Sequence, residues 1–150
     1  MASIIISVST ENTSVIQQTT MLGALLADLA ERDCTAELVL GMFDGAQEIS
    51  VWVRGFSDTS AAMSVGHELR EAYGQHSFLF LYDGVQVQHK GESAVEYVAT
   101  LHSAALGKTM RLIETAEPPM PDKDHTQTMY GTFLYELEDH QHVLKDTAVH

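Results

Sequence analysis

Glu48, Ser50, Trp52 and Arg54 fall at alternate positions of the run Gln47-Glu48-Ile49-Ser50-Val51-Trp52-Val53-Arg54, which reads as a strand. Side chains alternate across a strand, so these residues share one face while Ile49, Val51 and Val53 share the other. One face thus carries a carboxylate, a hydroxyl, an indole and a guanidinium in a row. A tryptophan between two charges is poor decoration for bare solvent, and such a face marks a partner surface or a ligand site. The bland alternative is that Glu48 and Arg54 are solvated while Trp52 packs in an interface.

Other constellations with chemical potential fail at a required residue. No G-x-G-x-x-G is present, so a Rossmann-type site is unsupported. Gly107-Lys108-Thr109 ends like a P-loop, but His102 stands where its first glycine belongs. His67-Glu68 begins a zincin-like motif, yet Glu71 occupies the second histidine position. His140 and His142 have no accompanying carboxylate or cysteine constellation, and a solvated tail is the simpler reading. Cys34 lacks an obvious activating neighbour and reads as a structural thiol. No G-x-S-x-G elbow is present. No metal or cofactor is expected.

The elements that position the Glu48 face follow from periodicity and turn chemistry. Ser3 to Val8 is apolar and rich in β-branched residues, and Ser9 to Ser14 is loop and helix-cap chemistry. Val15, Leu22, Leu25, Leu26 and Leu29 then recur at helical spacing. Thr35 to Phe43 and Glu48 to Gly55 form a hairpin about Asp44-Gly45. Ala62, Val65, Leu69 and Tyr73 space a second helix, which ends near Gly74. Phe78 to Tyr82 is a strand, and Asp83-Gly84 is a hairpin-type turn into Val85 to His89.

Beyond Gly91 the spacing of Val95, Val98, Ala99, Leu101 and Leu106 predicts a helix over Glu92 to Leu106, with a strand at Met110 to Ile113. Pro118, Pro119 and Pro121 mark an extended linker, and Met129 to Leu144 reads as a late hairpin. The expected fold is an α/β (α+β) sandwich: a ferredoxin-like or GlnB-like β-α-β-β-α-β unit with an antiparallel sheet over residues 1–115. Residues 116–150 then add a linker and a hairpin or tail, packed on the same domain or on a neighbouring subunit. Both helices of such a sandwich cover one sheet face. The Glu48 face is then bare, which predicts a homo-oligomer with its site at a subunit boundary.

Composition narrows the partners. The 150 residues suit one domain, and the single cysteine permits no internal disulfide. No basic segment precedes the short Ile4-Ile5-Ile6 run, so a cytoplasmic protein is expected. The longest apolar stretch, Met21 to Ala30, is interrupted by Asp28 and falls short of a membrane span. A net charge of −13 from 21 acidic and 8 basic residues opposes binding to phosphate backbones. Mimicry of DNA would also use negative charge, but only 19% of residues are charged and the acids are scattered.

Several short strings in this order resemble the phage-encoded S-adenosylmethionine-degrading enzymes that counter restriction. They are Val8-Ser9, the run Gln47 to Arg54, Leu81-Tyr82 and Gly131-Thr132-Phe133. The resemblance implies a homotrimer of PII-like sandwiches with sites between subunits. It also implies a lyase that releases methylthioadenosine and homoserine lactone. Glu48 matches the family's functional glutamate, and Ser7, Ser9, Thr10 and Asn12 are the implied hydrogen-bonding loop. Trp52 is an aromatic candidate for adenine or the sulfonium. Phe43 is the nearest aromatic to the family's hairpin tyrosine, which is absent here, and Tyr82 is a possible substitute. Two other classes compete: a non-catalytic PII-like or ACT-like metabolite-binding module, and an acidic protein that binds a host partner.

Overall fold

A computed structural model describes residues 2–8, 14–43, 46–75, 77–103, 107–115, 125–128 and 132–137. Its first elements are β1 (Ser3–Ser7), α1 (Val15–Glu31), β2 (Thr35–Phe43), β3 (Ala46–Arg54), α2 (Thr59–Ala72) and β4 (Ser77–Leu81). They are followed by β5 (Val85–His89), β6 (Glu92–Ser103), β7 (Gly107–Thr115), β8 (His125–Gln127) and β9 (Thr132–Leu137). No helix among the described residues is long and apolar enough to cross a membrane.

Each helix starts where polar side chains satisfy its free amides. Gln17 N donates to Ser14 Oγ at 3.1 Å while Ser14 N donates to Gln17 Oε1 at 2.9 Å, a reciprocal cap on α1. Asp58 Oδ1 accepts from Ala61 N at 2.7 Å at the start of α2. The alternation of β1 and β3 sends Ile4, Ile6, Val51 and Val53 beneath the helices, against Leu25, Leu29, Leu69, Phe78 and Phe80. Fully burying each such side chain contributes about 1.5–3 kcal/mol.

The expected ferredoxin-like or GlnB-like sandwich is corrected by the second half of the chain. The molecule is built on one curled, barrel-like antiparallel sheet of nine strands, in the order β4-β1-β3-β2-β8-β9-β7-β6-β5. A further pairing of β4 with β6 brings the ring of strands back to its start. Of the predicted helix over Glu92 to Leu106, Glu92–Ser103 form the long strand β6 and residues 104–106 lie outside the described residues. Alternation won over helical spacing there, because Tyr97, Ala99 and Leu101 all reach one buried cluster. A tight turn helps: Lys90 and Gly91 hold φ of 52° and 82°, and His89 pairs with Glu92 across them.

The predicted hairpin at Asp83-Gly84 is also corrected. β4 and β5 do not pair with each other; both pair with β6, along its C-terminal and N-terminal halves respectively. Gly84 is needed at that crossover, since a Cβ would lie 2.8 Å from Val95 Cγ1. β8 and β9 pair with each other and join β2 to β7.

Closure of the ring gives the sheet a second core on the face away from the helices. Ile5, Val39, Trp52, Leu79, Leu81, Ala99, Met110 and Leu112 fill it. The face that alternation places opposite the helices is therefore covered within one chain, and Trp52 is only 1% exposed. This corrects the inference that a bare face requires neighbouring subunits.

One glycine makes the helix layer sensitive. A Cβ on Gly66 would stand 2.4 Å from Phe78 Cε2, so α2 rests directly on that ring. Gly66→Ala is expected to destabilise the chain by about 1–3 kcal/mol through overpacking, read as a lower urea midpoint. An unchanged midpoint would show that α2 can lift off Phe78 freely.

Candidate functional site

β3 carries its polar row along the inside of the curled sheet. Cross-strand register sets the neighbours: Glu48 lies opposite Gly41, Ser50 opposite Val39 on one side and Ser7 on the other, and Trp52 opposite Glu37. Gly41 in turn lies opposite Thr126 of β8. The glycine places no side chain between Glu48 and Thr126 in that cross-strand row. Ser50 and Thr126 are 4% and 1% exposed, which makes this end of the sheet interior polar yet shielded.

Glu48 is half-buried. Burial alone pushes its carboxyl above the usual carboxylate range. Among the described residues it has no hydrogen-bond or ion-pair partner. A desolvated carboxylate without a partner is unfavourable for folding, and such groups concentrate at functional sites. What it can do chemically is bind a cation, or take up a proton at a higher pH than an exposed glutamate.

Ser7 is half-buried at the end of β1, where its Oγ donates to Ile49 O at 3.3 Å. Val8 N donates to the same carbonyl at 3.1 Å, so the chain leaves β1 beside Glu48. Ser9, Thr10 and Asn12 lie outside the described residues. Phe43 ends β2 with its Cα in register with Ala46, two positions from Glu48 along β3. Glu48, Ser7 and the backbone of Phe43 are thus brought to one end of the curled sheet.

Trp52 and Tyr82 are not part of that group. The Trp52 indole donates from Nε1 to Ser3 Oγ at 2.9 Å. Arg54 lies over its ring at 4.3 Å, and Tyr97 meets it edge-on at 5.2 Å. The indole is packed on both counts and offers no open face for adenine. Its cation is Arg54, which Glu37 holds at 3.0 Å. Tyr82 is 48% exposed and stands edge-on to Phe80. With Ala2, Asp58, Thr59 and Asp83 it lines a separate pocket of about 260 Å³. That pocket lies by Ser3, at the opposite end of β1 from Ser7 and about 13 Å from it at about 3.3 Å per residue.

Sequence reasoning missed Thr126 and Gly41. A glycine inside a strand run signals close approach or a gap, so Gly41 was legible. Nothing in His125-Thr126-Gln127 marks Thr126 as an inward neighbour of Glu48. Among the rejected motifs, burial pushes the Cys34 thiol up, which disfavours a nucleophilic thiolate. Among the described residues, no three histidine, cysteine or acidic side chains gather to hold a metal. His140 and His142 lie outside those residues. No protein-family model matches the chain, and no curated protein matches it.

Proposed function

We propose that the chain is an S-adenosylmethionine lyase that uses Glu48 to hold a positive group of its substrate. The observation that carries this reading is the half-buried Glu48 carboxylate with no partner among the described residues. S-adenosylmethionine brings two cations, an α-ammonium and a sulfonium, either of which offsets the desolvation of that carboxylate. The sequence strings that resemble the phage enzymes supply the reaction type.

The chemistry asks little acid-base work of the protein. An oxygen of the substrate's carboxylate attacks its own γ-carbon and forms the C–O bond of homoserine lactone. The γ-carbon–sulfur bond breaks, and its electron pair neutralises the sulfonium, giving methylthioadenosine. No water or external proton enters. Catalysis then rests on holding the methionine chain folded with oxygen, carbon and sulfur in line. Glu48 anchors the ammonium or faces the sulfonium, and the hydroxyls of Ser7 and Ser50 line the same end of the sheet.

The resemblance further implies a phage counter-defence role and a homotrimer with shared sites. Because the Trp52 face is covered within one chain, the resemblance alone supports the trimer; specific activity that falls on dilution would add support. The deciding experiment is incubation of purified protein with S-adenosylmethionine, followed by chromatography for both products. Their appearance in equal amounts supports the lyase. Intact substrate after long incubation ends that reading, and tight binding without turnover would favour a metabolite-sensing module.

A further inference from the structure

We propose that His67 and His102 form a proton-operated latch on the seam where β4 meets β6, holding α2 down and the sheet closed when neutral and loosening both when protonated. The latch stands independently of the lyase reading. It rests on where the two rings sit.

The seam between β4 and β6 is the pairing that returns the sheet to its starting strand. His102 of β6 lies in register with Phe78 of β4 on that seam. Its ring stacks on Phe78 with centroids 5.4 Å apart and planes 19° apart. His67 of α2 meets Phe78 edge-on at 5.0 Å and stands 6.1 Å from His102. One phenyl ring therefore touches an imidazole from the helix and another from the sheet, directly beside Gly66, where α2 rests on it. The latch joins three elements: α2, β4 and β6.

Neutral rings suit this packing. Protonation of His102 puts positive charge into a half-buried aromatic cluster, 6.1 Å from the His67 ring. The Thr100 hydroxyl lies 2.7 Å from His102 Nε2 and can donate to the neutral ring or accept from the charged one, so it opposes neither state. No anion compensates among the described residues facing the pair. β4 presents Phe78 and Phe80, and the β7 register partner is Gly107. On α2, Glu68 is held by Arg32 at 2.7 Å and Arg70 leans to Glu71 at 3.8 Å.

Burial, and then the charge of His67, lower the affinity of His102 for a proton below the ordinary imidazole value. The unfolded chain accordingly binds a proton at His102 more readily than the folded one does. The stabilisation is complete above the ordinary value of 6.5 and is lost as pH falls from there through the lower folded value.

The single tryptophan reports on the seam, because Trp52 is buried in the core that the seam closes. Acid titration from about pH 8 to about pH 4.5 would follow its emission alongside far-ultraviolet circular dichroism. The expected result is a red shift of Trp52 emission below about pH 6.5 that precedes loss of ellipticity. In His67→Gln and in His102→Gln the shift should move to lower pH by at least about half a unit. A wild-type shift that coincides with loss of ellipticity, or an unmoved midpoint in both variants, overturns the latch. Should either variant fail to fold, proton magnetic resonance of the wild-type imidazoles decides. Titration of His102 together with the Trp52 shift supports the latch, and titration at a separate pH overturns it.

Discussion

On the proposed lyase reading, Glu48→Gln is expected to lower turnover of S-adenosylmethionine by about 10²–10³-fold, the usual effect of removing one oriented electrostatic partner, while the chain becomes no less stable. The two readouts should diverge for a physical reason. Glutamine keeps the shape and can still hydrogen-bond, but it cannot offset a sulfonium or an ammonium. Wild-type Glu48 is half-buried, and burial raises its carboxyl above the ordinary value of 4.5. The folded state thus holds that proton more tightly than the unfolded state does. Stability linked to Glu48 is complete below the unfolded value and is lost as pH rises through the folded one. At neutral pH the charge, without a partner among the described residues, is therefore a liability to folding, which the neutral amide of the Glu48→Gln variant would relieve.

Product formation by chromatography and urea unfolding of the same preparations make the test. A glutamate with a purely structural role would lose stability on substitution and leave turnover in the folded fraction intact. That outcome would remove Glu48 from the site. Glu71, on α2 and 76% exposed, supplies the control. Glu71→Gln should leave both quantities nearly unchanged, and equal activity of the two variants would end the assignment.

Trp52→Ala should destabilise the chain by about 3–5 kcal/mol, the range for truncating a large buried aromatic. That is a large share of the roughly 5–15 kcal/mol that holds a typical domain together. The indole sits in the middle of the inner core, with Ile5, Val39 and Leu112 among its cluster and Tyr97 against its edge. Its truncation also strands the Ser3 hydroxyl, which accepts the indole N–H at 2.9 Å, and uncovers the Arg54 stem above the ring. Urea unfolding followed by circular dichroism is the measurement, since the variant has no tryptophan left to report. Trp52→Phe should cost less, because a ring still fills most of the space. A Trp52→Ala chain as stable as wild type would show that the sheet does not close over this face.

The burial of Trp52 also marks where strand alternation stops being informative. Alternation along Gln47 to Arg54 correctly separates Ile49, Val51 and Val53 from Glu48, Ser50, Trp52 and Arg54, because a strand has a strict period of two. It does not say what lies above each face. The expectation of a bare face rests on a β-α-β-β-α-β sandwich with both helices on one side, and it leaves residues 92–106 out of the sheet, because Val95, Val98, Ala99 and Leu101 fit a helical stripe about as well as an alternating one. Only pairing with β4 on one edge and β7 on the other settles that segment as strand. With it, the sheet curls and the supposed interface becomes an interior.

The candidate site divides in the same way. Glu48 could be picked out from its residue type and its place on the strand, whereas its lack of a partner among the described residues, its burial and its neighbours Gly41 and Thr126 follow from register across β2, β3 and β8. Trp52 looks like a ligand platform in sequence because a lone indole between charges is conspicuous; the structure uses it as packing and uses one of those charges, Arg54, to cover it. Tyr82, expected as the last residue of a strand Phe78 to Tyr82, falls just past β4, whose Leu81 pairs with Ser3 at the end of β1 remote from Glu48. The sequence by itself determined what is local: the capped helices, the β2–β3 hairpin and the two faces of β3, since each depends on residues a few positions apart. Tertiary structure alone decided which strand closes the ring, what covers Trp52 and which side chains meet at Glu48, because those outcomes depend on pairings between segments far apart in the chain.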